Sequence, residues 1–147
     1  MKIWIVTPYN PLETSKFQGG VEVFSLELQK KLSQDHQVTF IDAGENKSEF
    51  VKSLTLASKV RKLLKSERPD ILISSGILGW AMSDLEVPKV NIYHGTYEGI
   101  RRAVPGSLLG SLHKKIILEE LEKLSGRNAL KVAVSNITAE ELCAYAC

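Results

Sequence analysis

The chain has few cysteines, little net charge and no long apolar run, and each shortage removes a class of protein. Its cysteines are Cys143 and Cys147, and no pair of its three histidines has finger-like spacing. Structural zinc needs about four ligands, so no metal is expected. Thiols this sparse read as reduced side chains of an intracellular protein, and a cytoplasmic location is expected. The net charge of +2 is too weak to imply a nucleic-acid partner. No apolar run approaches the roughly 18 residues that a membrane span needs. Met1–Val6 is quickly followed by Pro8 and Pro11, which suits a buried strand rather than a signal peptide. Also missing are G-x-G-x-x-G after the first apolar run and any Walker sequence, so dehydrogenase and P-loop readings lose their main support.

What remains is ordinary in bulk and ordered in pattern. The 147 residues are 44% hydrophobic and 24% charged, values of a globular chain long enough for one core. Strand-like and helix-like segments alternate. Strands are expected at 2–6, 38–41, 71–73, 90–93 and 132–134. Helical periodicity is expected from Gly20 to about Gln34, with Val21, Phe24, Leu28 and Leu32 recurring on one face. A second helix, about 48–66, places Phe50, Leu54, Ala57 and Leu64 together. A short helix or turn covers 78–84. A further helix ends near Leu124, with Leu109, Leu112, Ile116 and Leu124 inward and Gly126 as its stop, and Thr138 is a candidate cap for the last one. The strands are apolar runs, as expected when both faces are covered. The expectation is α/β: a Rossmann-like parallel sheet with helices on both faces, in one domain over 1–147.

Ligands of open parallel sheets bind outside the carboxyl ends of the strands. The residues after each expected strand are small, polar or glycine: Thr7-Pro8-Tyr9-Asn10, Ser74-Ser75-Gly76, His94-Gly95-Thr96-Tyr97 and Ser135-Asn136. About a dozen residues separate Val6 from Gly19, where about 2–6 are usual. Gly19 and Gly20 then open a helix, a place where backbone N–H groups and the helix dipole can hold a phosphate; a plain surface excursion ended by glycines is the alternative. His94 at a strand tip can hydrogen-bond a ligand oxygen or exchange a proton, or it can be tied to loop backbone.

Taken in order, these segments resemble the N-terminal domain of a GT-B glycosyltransferase, of the retaining family 4 type. Gly19-Gly20-Val21-Glu22 runs through Leu28 and Leu32 to His36-Gln37-Val38-Thr39-Phe40-Ile41. Arg68-Pro69-Asp70-Ile71-Leu72-Ile73, Val90-Asn91-Ile92-Tyr93-His94-Gly95-Thr96 and Val132-Ala133-Val134-Ser135-Asn136 follow in the family's order. The resemblance implies an acceptor-side domain. It would work with a donor-binding C-terminal domain, expected to be absent here and supplied in cis or trans. It implies a nucleotide-sugar donor, a sugar or lipid-linked acceptor, no metal and no other cofactor. It implies that Gly19 and Gly20 face the donor diphosphate and that His94 faces the transferred sugar. Acceptor-binding candidates are Asn10, Ser75, Gly76, Gly95, Thr96 and Ser135. Relatives often carry a histidine where this chain has Ser74-Ser75-Gly76, and the family's paired glutamates, seven residues between them, have no counterpart. The domain alone is therefore expected to be inactive. A stand-alone, non-catalytic sugar- or nucleotide-binding module is the alternative. Peripheral membrane contact is considered for 97–123, where Arg101, Arg102, Lys114 and Lys115 stand among apolar residues, against an ordinary helix with solvated lysines.

Overall fold

The computed structural model describes residues 1–12, 19–44, 48–99 and 112–146, without the side chains of 49, 112–116, 145 and 146. The chain order is β1 (Lys2–Thr7), α1 (Gly20–Leu32), β2 (Gln37–Asp42), α2 (Glu49–Leu63) and β3 (Ile71–Ser75). A 3-10 helix (Gly76–Met82) follows, then β4 (Lys89–Tyr93), α3 (Leu112–Ser125), β5 (Leu130–Ala133) and α4 (Asn136–Ala146). The five strands form one parallel sheet in the order β2-β1-β3-β4-β5. Going along the chain, the sheet first grows from β1 to β2, then reverses and grows on the other side of β1. The crevice of such a sheet opens at that reversal, between β1 and β3.

Alternation along β1 makes two cores, because successive strand side chains point to opposite faces. Trp4 and Val6 join Leu56, Ala57, Val60, Leu72, Leu78 and Met82 beneath α2 and the 3-10 helix. Ile3 and Ile5 join Ile73 and Ile92 on the other face, under Phe24, Leu28 and Leu32 of α1. The expected helical face of α1 is thus the one that packs. The turns have local causes. Asp42 accepts from the Gly44 N–H at 2.8 Å, and Gly44 sits at φ +79. Ser48 caps α2 by accepting from the Val51 N–H at 3.4 Å. The Lys2 N–H donates to Asp70 at 2.6 Å, fastening the start of β1 to the start of β3.

Several expectations are corrected. In α2 the buried stripe is Ser53, Leu56, Ala57 and Val60, whereas Phe50 and Leu54 face out at 47% and 46% exposure. Leu56, Ala57 and Val60 pack with Trp4, Val6 and Leu72, while Phe50 stacks on Trp80. Leu124 is exposed; Leu109 and the side chains of Leu112 and Ile116 lie outside the described residues. The last helix is capped by Ser135, whose hydroxyl accepts from the Thr138 N–H at 3.2 Å; Thr138 itself is buried. The last strand begins at Leu130, and as an edge it leaves Leu130 and Val132 exposed. Apolar runs covered on both faces describe the inner strands, while β2 alternates.

Candidate functional site

A cavity of about 500 Å³ opens at the carboxyl ends of β1, β3 and β4, at the reversal in strand order. Pro8 and Tyr9 enter it after β1. Ser75, Gly76, Ile77 and Leu78 enter after β3, and His94, Gly95 and Tyr97 after β4. Val21 and Glu22 come from the first turn of α1, Lys52 from α2 and Glu122 from α3. Gly76 turns the chain from β3 into the 3-10 helix at φ +49, a left-handed conformation that glycine adopts without a Cβ clash.

His94 forms part of the wall. Its ring meets Phe24 edge-on, with centroids 5.0 Å apart. The Nε2 atom is buried and has no hydrogen-bond partner. Burial holds the imidazole below its ordinary pKa, and the Glu22 carboxylate opposes that shift. At neutral pH the ring is therefore uncharged, with one nitrogen to donate and one to accept. Lys52 is nearly fully buried; its Nζ donates to the Tyr9 hydroxyl at 2.9 Å and lies 4.3 Å from the ring centroid. Glu122, also in the wall, is buried and accepts from the Tyr97 N–H at 2.9 Å.

A buried polar network supports this rim. Asn91, fully buried, accepts from the Ser74 hydroxyl at 2.7 Å and donates to the Gly76 carbonyl and to Ser125 Oγ, each at 3.0 Å. Ser125 donates in turn to the Glu122 carbonyl at 2.6 Å and lies 3.2 Å from the Tyr93 hydroxyl. One side chain thus ties β3, the 3-10 helix, β4 and α3 together under the cavity. Gly79 belongs to the same junction: a Cβ there would stand 2.7 Å from Ser74 Oγ and 3.3 Å from the Ser125 carbonyl.

The sequence-derived candidates divide. Ser75, Gly76, His94 and Gly95 line the cavity together. Gly19 and Gly20 start α1 just outside the lining. Gly19 has extended backbone, φ −75 and ψ 174, which any residue can adopt. A Cβ on Gly19 would stand 2.8 Å from Glu22 Oε2, so that carboxylate already lies over the positive end of the helix. Around Gly20 the space is open. Asn10 makes a turn, accepting from the Leu12 N–H at 3.1 Å. Thr96 is buried and donates to Glu141 at 2.6 Å, and Ser135 is occupied as the cap of α4. Tyr9, Glu22, Lys52 and Glu122 were not singled out from the sequence. Lys52 would have been, had the buried side of α2 been read correctly.

Among the described residues, no three His, Cys, Asp or Glu side chains gather in a way that could hold a metal. Cys143 is a free, exposed thiol. No described helix is long and apolar enough to cross a membrane. Within the segment considered for membrane contact, residues 100–111, with Arg101 and Arg102, and the side chains of Lys114 and Lys115 lie outside the described residues. Compared with known proteins, residues 18–147 match the family model described as Glycosyltransferase Family 4. A search of curated proteins finds no match.

Proposed function

The chain belongs to glycosyltransferase family 4, and from that premise we propose that it is the acceptor-side domain of a retaining glycosyltransferase. In this reading a sugar passes from a nucleotide-sugar to a sugar or lipid-linked acceptor seated in the cavity. The supporting observation is the neutral, half-buried His94 ring in the cavity wall, beside Ser75 and Gly76 at the β1/β3 reversal. An uncharged imidazole there suits hydrogen bonding to sugar hydroxyls. Gly19 and Gly20, at the open start of α1, would face the donor diphosphate.

Charge supports a division of labour between this domain and a donor-binding domain in cis or trans. The cavity wall carries Glu22 and Glu122 against Lys52, whose ammonium is already bonded to Tyr9. A helix N-terminus adds only about 0.3–1 kcal/mol for an exposed anion. Single donors that stabilise charge in a transition state contribute about 2.7–4 kcal/mol each. The departing diphosphate therefore needs cations and N–H groups from another wall.

Titration calorimetry on this chain tests the division. Heat is expected with acceptor-type sugars or sugar-lipids and not with nucleotide-sugars. Tight nucleotide-sugar binding by this chain alone would favour the stand-alone binding module. With the donor domain joined, His94→Ala should lower turnover by about 10²-fold or more while the melting temperature stays close to that of the parent. Failure of the joined protein to transfer or hydrolyse any nucleotide-sugar refutes the reading.

A further inference from the structure

Three residues of the cavity wall, His94, Gly95 and Tyr97, lie in one short segment after β4. Phe24 meets the His94 ring edge-on. The buried Nε2 of that imidazole has no hydrogen-bond partner, so no bond from that atom anchors the ring. β4 fixes the backbone of the segment on one side. On the other side two carboxylates from different helices hold it. Glu122 of α3 accepts from the Tyr97 N–H at 2.9 Å. Glu141 of α4 accepts from the Thr96 hydroxyl at 2.6 Å, and the same hydroxyl accepts from the Gly99 N–H at 2.9 Å. Thr96 is buried, so little water reaches that hydroxyl. Gly99 belongs to the arrangement, because a Cβ there would run into the Glu141 carboxylate. Glu141 itself does not line the cavity, and sugar transfer alone gives it no task.

We propose that Glu141 is a positioning residue, which fixes His94, Gly95 and Tyr97 in the cavity wall by holding Thr96. The proposal rests on the glycosyltransferase reading only for what the cavity does; the holding of His94 is a property of this chain alone. A hydroxyl donating to a carboxylate makes a short, strong bond, about 2.5–2.7 Å long, and the bond from Thr96 at 2.6 Å is of that kind. One hydroxyl thereby joins α4 to the turn 96–99, two residues from His94. Without Glu141 the hydroxyl keeps the bond it accepts and loses the one it donates. A buried donor left unpaired favours any loop arrangement that brings it to water. Such a movement carries Gly95 and His94 with it, and a misplacement of about 1 Å in a site can cost about 10²-fold in rate. Glu141 couples α4 to the cavity in this way without touching a ligand.

NMR titration of the histidine rings in the purified chain tests it, with His94→Gln identifying the His94 signal. Burial holds His94 below 6.5 in the parent, against the opposing Glu22 carboxylate. In Glu141→Ala the loosened segment should let water reach the ring, and its midpoint should rise towards 6.5. Loss of a negative charge by itself moves a histidine the other way, so the sign separates the two causes. Glu141→Gln loses the charge and keeps an acceptor for Thr96, so no rise is expected. Thr96→Val should reproduce the rise, and Thr96→Ser should not. His36, just before β2 at the opposite end of the sheet, should titrate alike in all of them. If Glu141→Ala fails to fold by circular dichroism, Gly99→Ala takes its place, since its Cβ pushes the carboxylate off Thr96 and removes no hydrogen-bonding group. An unchanged or lowered His94 midpoint in the Ala and Val variants, or an equal rise in the Gln and Ser variants, would overturn the proposal. With the donor domain joined, Glu141→Ala should lower kcat about tenfold or more, and Glu141→Gln by about twofold or less; an unchanged kcat in an active Glu141→Ala protein also overturns it. A joined parent that transfers nothing refutes the glycosyltransferase reading, and the His94 titration then decides this one.

Discussion

Replacing Asn91 by alanine removes a side chain that makes three hydrogen bonds in a fully buried position. The Ser74 hydroxyl loses its partner, and the Gly76 carbonyl, which opens the 3-10 helix, loses its side-chain donor. Ser125 Oγ keeps its bond to the Glu122 carbonyl. A buried polar group left without a partner costs about 1–3 kcal/mol and each of the two other lost bonds about 0.5–1.5 kcal/mol, about 2–6 kcal/mol together, with about 4 kcal/mol as the central value. A domain of this size has about 5–15 kcal/mol in total, so the variant should remain folded but be visibly weakened. At about 2–4 °C per kcal/mol, the melting temperature should fall by about 8–16 °C. Urea unfolding followed by circular dichroism measures the free energy directly. Ser74→Ala supplies the second leg of a cycle. Alone it should cost about 1–2 kcal/mol; in the Asn91→Ala background it should cost almost nothing, because the hydroxyl it removes is already stranded. A loss below 1 kcal/mol for Asn91→Ala, or strict additivity of the pair, would refute the network as the support of the cavity rim.

Gly79→Val should destabilise by about 1–3 kcal/mol, since its Cβ meets Ser74 Oγ and the Ser125 backbone; an unchanged urea midpoint would mean the junction yields freely. Lys89→Met should cost about 2–4 kcal/mol in the same assay, because its ammonium serves the Ser83 and Leu85 carbonyls at 2.7 and 2.8 Å beyond the 3-10 helix. Burial lowers the folded-state pKa of His94 below its ordinary value of 6.5. The unfolded chain then takes up the proton first, so the His94 contribution is complete above about 6.5, is lost as pH falls from there towards the lower folded value, and levels off below it. His94→Gln should remove that component of the stability–pH curve, and identical curves for parent and variant would contradict it.

The inner strands were legible because β1, β3 and β4 are apolar runs bounded by proline, glycine or aspartate. The site's general position followed from them, since it lies where the parallel order reverses. The side of α2 was not legible. Phe50, Leu54, Ala57 and Leu64 satisfy helical spacing as well as Ser53, Leu56, Val60 and Leu64 do, and the choice falls to packing against Trp4, Val6 and Leu72 from distant parts of the chain. Misplacing that side also hid Lys52. The Asn91 network escaped for a different reason. Its partners come from positions 17 and 34 residues away, and no local pattern marks them.

The parallel order of the sheet has a consequence for how the chain reaches its fold. Parallel neighbours cannot be joined by a tight turn, so β1 finds β2 only past α1, and β3 only past α1, β2 and α2. Each pairing closes a long loop before any contact returns energy, which slows folding. During synthesis β1 emerges before β2 and β3 and waits for them, Ile3 for Ile71 and Ile5 for Ile73. Until they arrive, Ile3-Trp4-Ile5-Val6 is an unpaired apolar strand of the growing chain. That strand ends inside the sheet, between β2 and β3, and begins as exposed apolar surface of the kind that chaperones shield.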